Sequence, residues 1–553
     1  MEVKKLYEVA ANTFGKRESL LSLWQEMAMN FYPERADFTY QRTLGTDFAA
    51  NLMTSYPVIV RRDLGNQIGS MLRPTEKQWN YMVCNDERVM QDNDSRAWLE
   101  WATIVQRRAM YDRITQFTKA TKQGDHDYAT FGQCCISIEL NRHATALLYR
   151  CWHLRDMAWL ENSEGKICPI FRKWKPTARE LVELFPKTVH QSVKQLADKT
   201  PFTEVECMHM VFEADMVDGK WNGKPYVSIY YDVQNQTELE MVGIVDTIYV
   251  IPRWQTVSGS QYAFSPATVA ALPDARLVQA MTYTLLEAGE KATNPPLIAD
   301  QNIFRTDVAL YAGGLTWADL EGDGKLSDYL HVLTNDKSGM PLGIEMQKDC
   351  RSMLADAFYM NVLKPFNPST DPTMTAFQAG QIVQDYIRKA LPLFEPMEMD
   401  YNGAVCEATF GLLFRSGTFG PIQNMPPMLS GKEIQFRFKS PLHDAIDQMK
   451  GQVFLQAKQL IAEAVAMDPT AAMIMDAKVA LRDALSGIPT PAKWMHSEAE
   501  VQAVEQQQQD AQQTQAFLAA AQGGANVAKT ISESQANLAK AQPAPNAGVP
   551  AAV

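Results

Sequence analysis

No apolar run in the sequence approaches the roughly 20 residues needed to cross a membrane, and Met1-Glu2-Val3-Lys4-Lys5 opens a charged amphipathic stretch, not a secretory leader. Synthesis and retention in a cytosol-like compartment are expected. Cysteine is sparse. The eight residues are adjacent only at Cys134-Cys135 and never form Cys-x-x-Cys, which argues against a disulfide framework or a zinc ribbon. Reduced, mostly buried thiols are the expectation. Positive charge is in deficit, with 52 Lys and Arg against 64 Asp and Glu and a formal net charge of −12. A surface that wraps DNA by displacing counterions needs the opposite balance. An acidic wall instead repels a duplex and lets it slide, which suits a conduit and not a clamp.

Reaction motifs are missing as well. There is no Gly-x-x-x-x-Gly-Lys-Ser/Thr loop to cradle phosphates, so a P-loop motor is excluded. Gly-x-Ser-x-Gly, His-Glu-x-x-His and a Gly-x-Gly-x-x-Gly loop after a strand are also absent. Asp319-Leu320-Glu321-Gly322-Asp323-Gly324 begins like a calcium loop, but Leu330 stands at the twelfth position, where a bidentate carboxylate is required. A hairpin turn at Asp323-Gly324 is the better reading. Cys151 with His153 and Cys207 with His209 share strand faces, so a Cys₂His₂ zinc site is conceivable; buried thiols beside satisfied histidines are preferred. No cofactor, metal or catalytic residue is expected. The short basic clusters Arg61-Arg62, Arg107-Arg108 and Arg172-Lys173-Trp174-Lys175 read as solvated faces or subunit contacts.

What is present is a long chain, 553 residues with 46% hydrophobic and 21% charged content, enough for several compact regions. Helical spacing of Leu20, Leu23, Trp24, Met27 and Phe31 predicts an amphipathic entry helix over residues 6–31, closed by Pro33. Further helices are predicted over 56–72 and over 96–122, the latter capped by Ser95. Between Gly132 and Val250 the period drops towards two, as in Cys135-Ile136-Ser137-Ile138-Glu139-Leu140 and Tyr226-Val227-Ser228-Ile229-Tyr230-Tyr231. A helix inside this β-rich module starts at Thr177, with Glu180 in capping-box spacing.

After Pro273-Asp274, read as a cap, Leu277, Val278, Met281, Leu285 and Ala288 line one side of a helix that Pro295-Pro296 stops. A second long helix carries Met346, Cys350, Met353, Leu354, Ala357 and Phe358 up to Pro365. Between the two lies a segment rich in Gly and Asp. Later helices are predicted over 375–391, 403–413, 442–467 and 471–485. A Gln/Ala-rich stretch follows from residue 497, and disorder is expected over the last ten or so residues.

The order Pro252-Arg253-Trp254, Tyr262-Ala263-Phe264-Ser265-Pro266, Ala271-Leu272-Pro273-Asp274 and Asn294-Pro295-Pro296 resembles the head-to-tail connector, or portal, proteins of short-tailed phages. Supporting matches are Trp24 with Tyr32-Pro33, Phe131-Gly132, Gly165 with Phe171-Arg172-Lys173, Thr375-Ala376 and Ser440-Pro441-Leu442; Ala263 and Gln378 depart from the usual glycine and glutamate. The resemblance implies an α+β portal fold. Its parts would be a wing over 1–266 and 375–439, stem helices over 267–293 and 341–363, a clip over 294–340 and a channel loop over 364–374. A crown over 440–496 and a helical barrel or mobile tail over 497–553 would complete it.

The resemblance also implies a non-enzymatic ring of twelve subunits at one capsid vertex of the virion, assembled in the host cytoplasm. Double-stranded DNA would pass through it without sequence specificity during packaging and ejection. Implied partners are the terminase large subunit, a tail adaptor protein, and capsid and scaffolding proteins. Lys364, Asn367, Glu287 and Glu290 are the candidates for lining the channel or contacting DNA, and Trp317, Asp319, Asp323 and Lys325 for the docking surface of the clip. A ring closed by heterologous contacts would make apolar residues of the stem helices partly interfacial. The rival readings are a nuclease or hydrolase, which needs a metal-spaced acidic cluster, and another virion subunit of tail or capsid.

Overall fold

The computed structural model of the chain describes residues 2–43, 45–299, 330–332, 339–362, 395–421 and 424–438, with short further pieces at 317, 388–389, 392–393, 457–462 and 480–481. The fold is α+β. The expected entry helix is two helices, α1 (Val3–Gly15) and α2 (Glu18–Phe31). The break falls at Arg17, whose buried guanidinium donates to the carbonyls of Leu154 (3.1 Å), Arg155 (2.7 Å) and Met157 instead of lying along a helix surface. α1 sets Leu6, Ala10 and Phe14 on a sheet at helical spacing, and α2 buries Trp24, Met27, Ala28 and Phe31.

α3 (Tyr56–Leu72) spans the predicted residues, with Pro57 in its first turn. Strand β1 (Asn80–Cys84) and the short helix α4 (Glu87–Gln91) lead into α5 (Asn93–Met110). The cap of α5 is Asp92, whose carboxylate accepts from the Ser95 amide at 3.0 Å, so Ser95 sits inside the first turn. The predicted run to Lys122 stops at Met110, because the Thr115 hydroxyl donates to the Met110 carbonyl (2.6 Å) and Gln116 turns left-handed (φ 61°). The chain restarts as α6 (Phe117–Phe131). Gly132 ends that helix at φ +73°, in a place where a Cβ would lie 2.1 Å from the Phe264 carbonyl carbon.

Strands β2 (Cys135–Leu140) and β3 (Leu147–Trp152) pair antiparallel. β4 (Met157–Glu161), β5 (Ile167–Trp174), β6 (Cys207–Glu213), β7 (Tyr226–Asp232) and β8 (Thr237–Ile244) form a five-stranded antiparallel meander. Helices α7 (Ala178–Leu184) and α8 (Gln191–Lys199) are inserted between β5 and β6 over a small core of their own. Thr177 caps α7 by accepting from the Glu180 amide at 3.3 Å, as its spacing predicted. β9 (Tyr249–Val250) joins β2, and β10 (Gln255–Thr256) pairs β11 (Ala263–Phe264).

α9 (Pro266–Thr293) begins a full two turns before the expected cap, so Pro273 lies in its interior. Its start is fixed from outside: the Ser265 hydroxyl accepts from the Thr268 amide and donates to the Ala129 carbonyl, and the Thr268 hydroxyl donates to the Thr130 carbonyl. This anchorage on the end of α6 offsets the backbone bond that Pro273 removes. β12 (Leu297–Ala299) pairs β13 (Leu330–Val332), so the segment between the long helices leaves and returns side by side. α10 (Gly339–Ala357) stops short of the predicted residue 363, with Tyr359 left-handed at φ 57°. A π-helical turn (Met397–Gly403) runs into α11 (Ala404–Arg415), and β14 (Ile434–Phe438) returns to pair with β1. The helices predicted at 375–391, 442–467 and 471–485 fall wholly or largely outside the described residues.

The largest core joins α3, α5, α6, α9, α10 and α11. Within it Arg73 and Asp125 form a buried ion pair, Arg73 also donating to Asn402 at 2.6 Å. All eight cysteines are free and seven are buried, Cys151 being only partly covered.

Candidate functional site: a helical hairpin with two apolar edges

α9 is rooted by half its length and free along the rest. Ala267, Ala271, Leu272, Ala275 and Val278 are buried; no residue of the helix beyond Val278 is. α10 mirrors this arrangement, with Cys350 and Leu354 in the core and Leu342, Ile344 and Met346 exposed. Phe358, just past its end, packs its ring tilted against Phe31 with centroids 5.3 Å apart, and the Tyr56 hydroxyl donates to the Arg351 carbonyl at 3.1 Å. The two helices form an antiparallel hairpin. Gln347 Nε2 donates to Thr282 Oγ1 at 2.7 Å, and Gly343 lets the Leu285 side chain approach to 2.9 Å of where a Cβ would stand. Farther back Arg276 pairs with Glu26 of α2 at 2.5 Å.

The projecting hairpin keeps large apolar side chains in water. Leu277, Tyr283 and Leu286 on α9 and Leu342, Ile344, Met346 and Met353 on α10 are between 44 and 61% exposed. Spacing sorts them into two edges. Leu277 and Met281 lie four apart on α9, Leu342, Met346 and Met353 lie four and seven apart on α10, and the antiparallel register brings these stripes to one side. Gln279, Tyr283 and Leu286, also four and seven apart, take the opposite side of α9, and Ile344 joins them from α10. Polar side chains border and interrupt these edges: Asp349 falls between Met346 and Met353 on the first, Lys348 lies four from Ile344 on the second, Glu287 is on the back of α9, and Glu345, Ser352 and Asp356 are on the back of α10, all exposed.

Of the residues singled out from sequence, Glu287 and Glu290 lie on the exposed last turns of α9, and Glu287 is engaged by Lys291 at 2.6 Å. Trp317 is 77% exposed. Lys364, Asn367, Asp319, Asp323 and Lys325 lie outside the described residues, as does most of the incomplete calcium loop. The zinc alternative does not survive the geometry, because Cys151 and Cys207 belong to different sheets. His209 spends both ring nitrogens on Tyr249 (2.5 Å) and Ser228 (2.8 Å), and burial holds it well below the usual histidine range; His153 meets Asp37 at 2.5 Å. Among the described residues no group of three or more His, Cys, Asp or Glu comes together as a metal site.

The basic clusters are in part a correction. Arg61 is buried, donating to the Phe31 carbonyl at 2.9 Å and stacked 3.8 Å over the Tyr32 ring. Arg172 is buried too, 3.9 Å over the Trp152 ring. These guanidinium groups lie in the core instead of facing solvent, because a weakly hydrated planar cation loses less on burial against a ring than a strongly hydrated ammonium does. Sequence reasoning also passed over the Arg73–Asp125 pair, which joins residues 52 positions apart and left no local signal.

Among the described residues the hairpin therefore leaves two apolar edges uncovered on a frame rooted in the core. Residues 3–495 match the family described as bacteriophage head to tail connecting protein, and the chain belongs to that family. The portal protein of Salmonella phage epsilon15 is 21% identical over 553 residues, covering 97% of this chain and 96% of that protein. A probable portal protein of Bordetella phage BPP-1 is 21% identical over 448 residues, covering 78% and 77%. A chain in the virion of a native gene transfer agent particle aligns at 10% identity and TM-score 0.34, covering 78% of this chain and 94% of that one.

Proposed function

We propose that this chain is a portal subunit: copies close into a ring at one capsid vertex, and the genome enters and leaves through the hole. The observation that carries the reading, beside the family, is the hairpin with two unlike apolar edges. One edge is rich in Leu and Met, the other carries Tyr, Leu and Ile. A heterologous contact closes into a ring when each subunit presents two different sides to its neighbours. α9 and α10 are then the stem, the β12–β13 excursion is the root of the clip, and the polar back of α10 is wet. That face and the chain's net charge of −12 let DNA slide without being gripped.

The finer reading follows the family. The ring has twelve members, the clip docks first the terminase large subunit and then the tail adaptor, and the Lys364 loop touches DNA. Capsid and scaffolding proteins surround the wing and crown. The subunit performs no catalysis. Negative-stain imaging and mass photometry of the purified full-length chain test the proposal. Closed rings, as heterologous contacts give when their rotation closes, of about the dozen members that the family implies and with a central hole, are expected. A stable monomer at every salt concentration and protein concentration tried would overturn it.

A further inference from the structure

Between the buried Phe38 and the first turn of α3, the described residues of the span 39–54 carry no helix or strand, and the span is longer than most connections inside a compact body. Both ends are pinned. Phe38 packs between Trp24 (5.6 Å) and Phe131 (5.1 Å), and its amide donates to Gln25 Oε1 at 2.8 Å. At the other end Gln279 Oε1 accepts from the Met53 and Thr54 amides at 2.7 and 2.9 Å, while its Nε2 donates to the Thr54 carbonyl at 3.0 Å. Between these roots the described residues are exposed apart from half-buried Arg42 and Leu52, and the exposed set includes Tyr40, Phe48 and Met53. Arg42 stacks 5.2 Å over the Phe48 ring and donates to the Pro33 carbonyl, which holds that aromatic outward in a set position. With one Arg and one Asp in its length, the segment is neutral on an acidic chain.

Gln279 stands on the same edge of α9 as Tyr283 and Leu286. The strap therefore extends that edge. We propose that residues 39–54 form an inter-subunit strap, whose Phe48, Tyr40 and Met53 lie on the Leu277, Met346 and Met353 edge of the next copy's hairpin. The inference rests on the ring reading and adds to it. The occupant is a second copy because the strap is continuous with the side of the hairpin that faces the neighbour. Its neutral, aromatic-bearing surface also matches the methionine-rich stripe there, methionine being a side chain that adapts to aromatic partners. Tethered at both ends, the strap loses less freedom on docking than a free tail would.

The test uses the full-length chain with Phe48 replaced by the photoreactive p-benzoylphenylalanine, assembled from equal parts of ¹⁵N-labelled and unlabelled subunits and irradiated. Crosslinked peptides joining position 48 to residues 339–357, with heavy–light pairs present, are expected. Crosslinks only within one chain, or to other surfaces of the neighbour, overturn the strap. A second variant, Tyr40→Ser with Phe48→Ser, keeps the question open to refutation should the photoreactive residue disturb docking. The loss of two interfacial aromatics should raise the concentration at which rings dissociate by at least about tenfold. Rings as stable as wild type would refute the strap while leaving the portal reading intact; wild-type protein that forms no ring refutes the portal reading first.

Discussion

Met346→Glu separates an assembly edge from a folding element. Met346 is 49% exposed in the single chain, and its neighbours on that stripe are exposed as well, so the fold should lose no more than about 0.5 kcal/mol, as for other surface changes. In the proposed ring the next subunit would cover the exposed half of this side chain. Covering half of a methionine contributes on the order of 1 kcal/mol, taking about 1.5–3 kcal/mol for a full side chain. The new carboxylate must also leave water without a partner, a cost of several kcal/mol even after relaxation. The sum is about 3 kcal/mol or more at each contact, which is over a hundredfold in pairwise affinity at 1.4 kcal/mol per factor of ten. Every contact in the ring carries the change, because each subunit lends this edge once. Sedimentation velocity should show monomers or short open arcs at concentrations where wild type is fully closed, with unchanged circular dichroism and melting. Asp356→Asn, on the polar back of α10, is the control and should assemble normally. Closed rings of Met346→Glu at the wild-type concentration would refute the edge assignment.

Gly132→Ala should cost several kcal/mol or abolish soluble expression, since a left-handed φ of +73° coincides with a Cβ position 2.1 Å from the Phe264 carbonyl carbon; Gly223→Ala, at φ +75° with nothing within 4 Å, should cost only about 1–2 kcal/mol by urea unfolding. Arg73→Met leaves Asp125 buried without its partner, and a loss of about 3–5 kcal/mol is expected in chemical denaturation, largely restored by adding Asp125→Leu. Burial, then the nearby Arg61, lowers His126 from 6.5 to about 4, so its contribution to stability is complete above pH 6.5 and is lost as the pH falls towards 4. After allowance for its partial exposure this is about 1–2 kcal/mol, and a melting-temperature profile over that window should flatten in His126→Gln. Lys364→Glu should leave ring formation intact and impair genome retention in assembled particles, measured as the fraction of full heads; normal retention would remove the channel-loop role.

Much of the fold was legible locally, where side-chain period and caps act within a few residues. The alternation of Cys135 to Leu140 made a strand, Thr177 capped its helix, and the residues from Tyr56 to Leu72 made theirs. Errors arose where distant groups overrode local chemistry. Pro273 reads as a helix boundary until Ser265 and Thr268 are seen holding the chain to α6, and Ser95 reads as a cap until Asp92 is seen accepting its amide. Arg61 and Arg172 look solvated in a sequence because nothing nearby in the chain announces the aromatic rings they stack on.

By itself the sequence determined the class of fold, the acidic balance that argues against a DNA clamp, the lack of reaction motifs, and, through its ordered Arg-Trp, Ala-Leu-Pro-Asp and Pro-Pro series, the family resemblance. Only the tertiary structure decided which apolar residues of α9 and α10 are core and which are left as edges. Leu277 and Val278 are equally hydrophobic and adjacent, yet one is 44% exposed and the other buried. Periodicity states that a helix has an apolar side, but how much of that side the molecule's own core covers depends on where α6 and α3 stand, and that is set by contacts far apart in the chain.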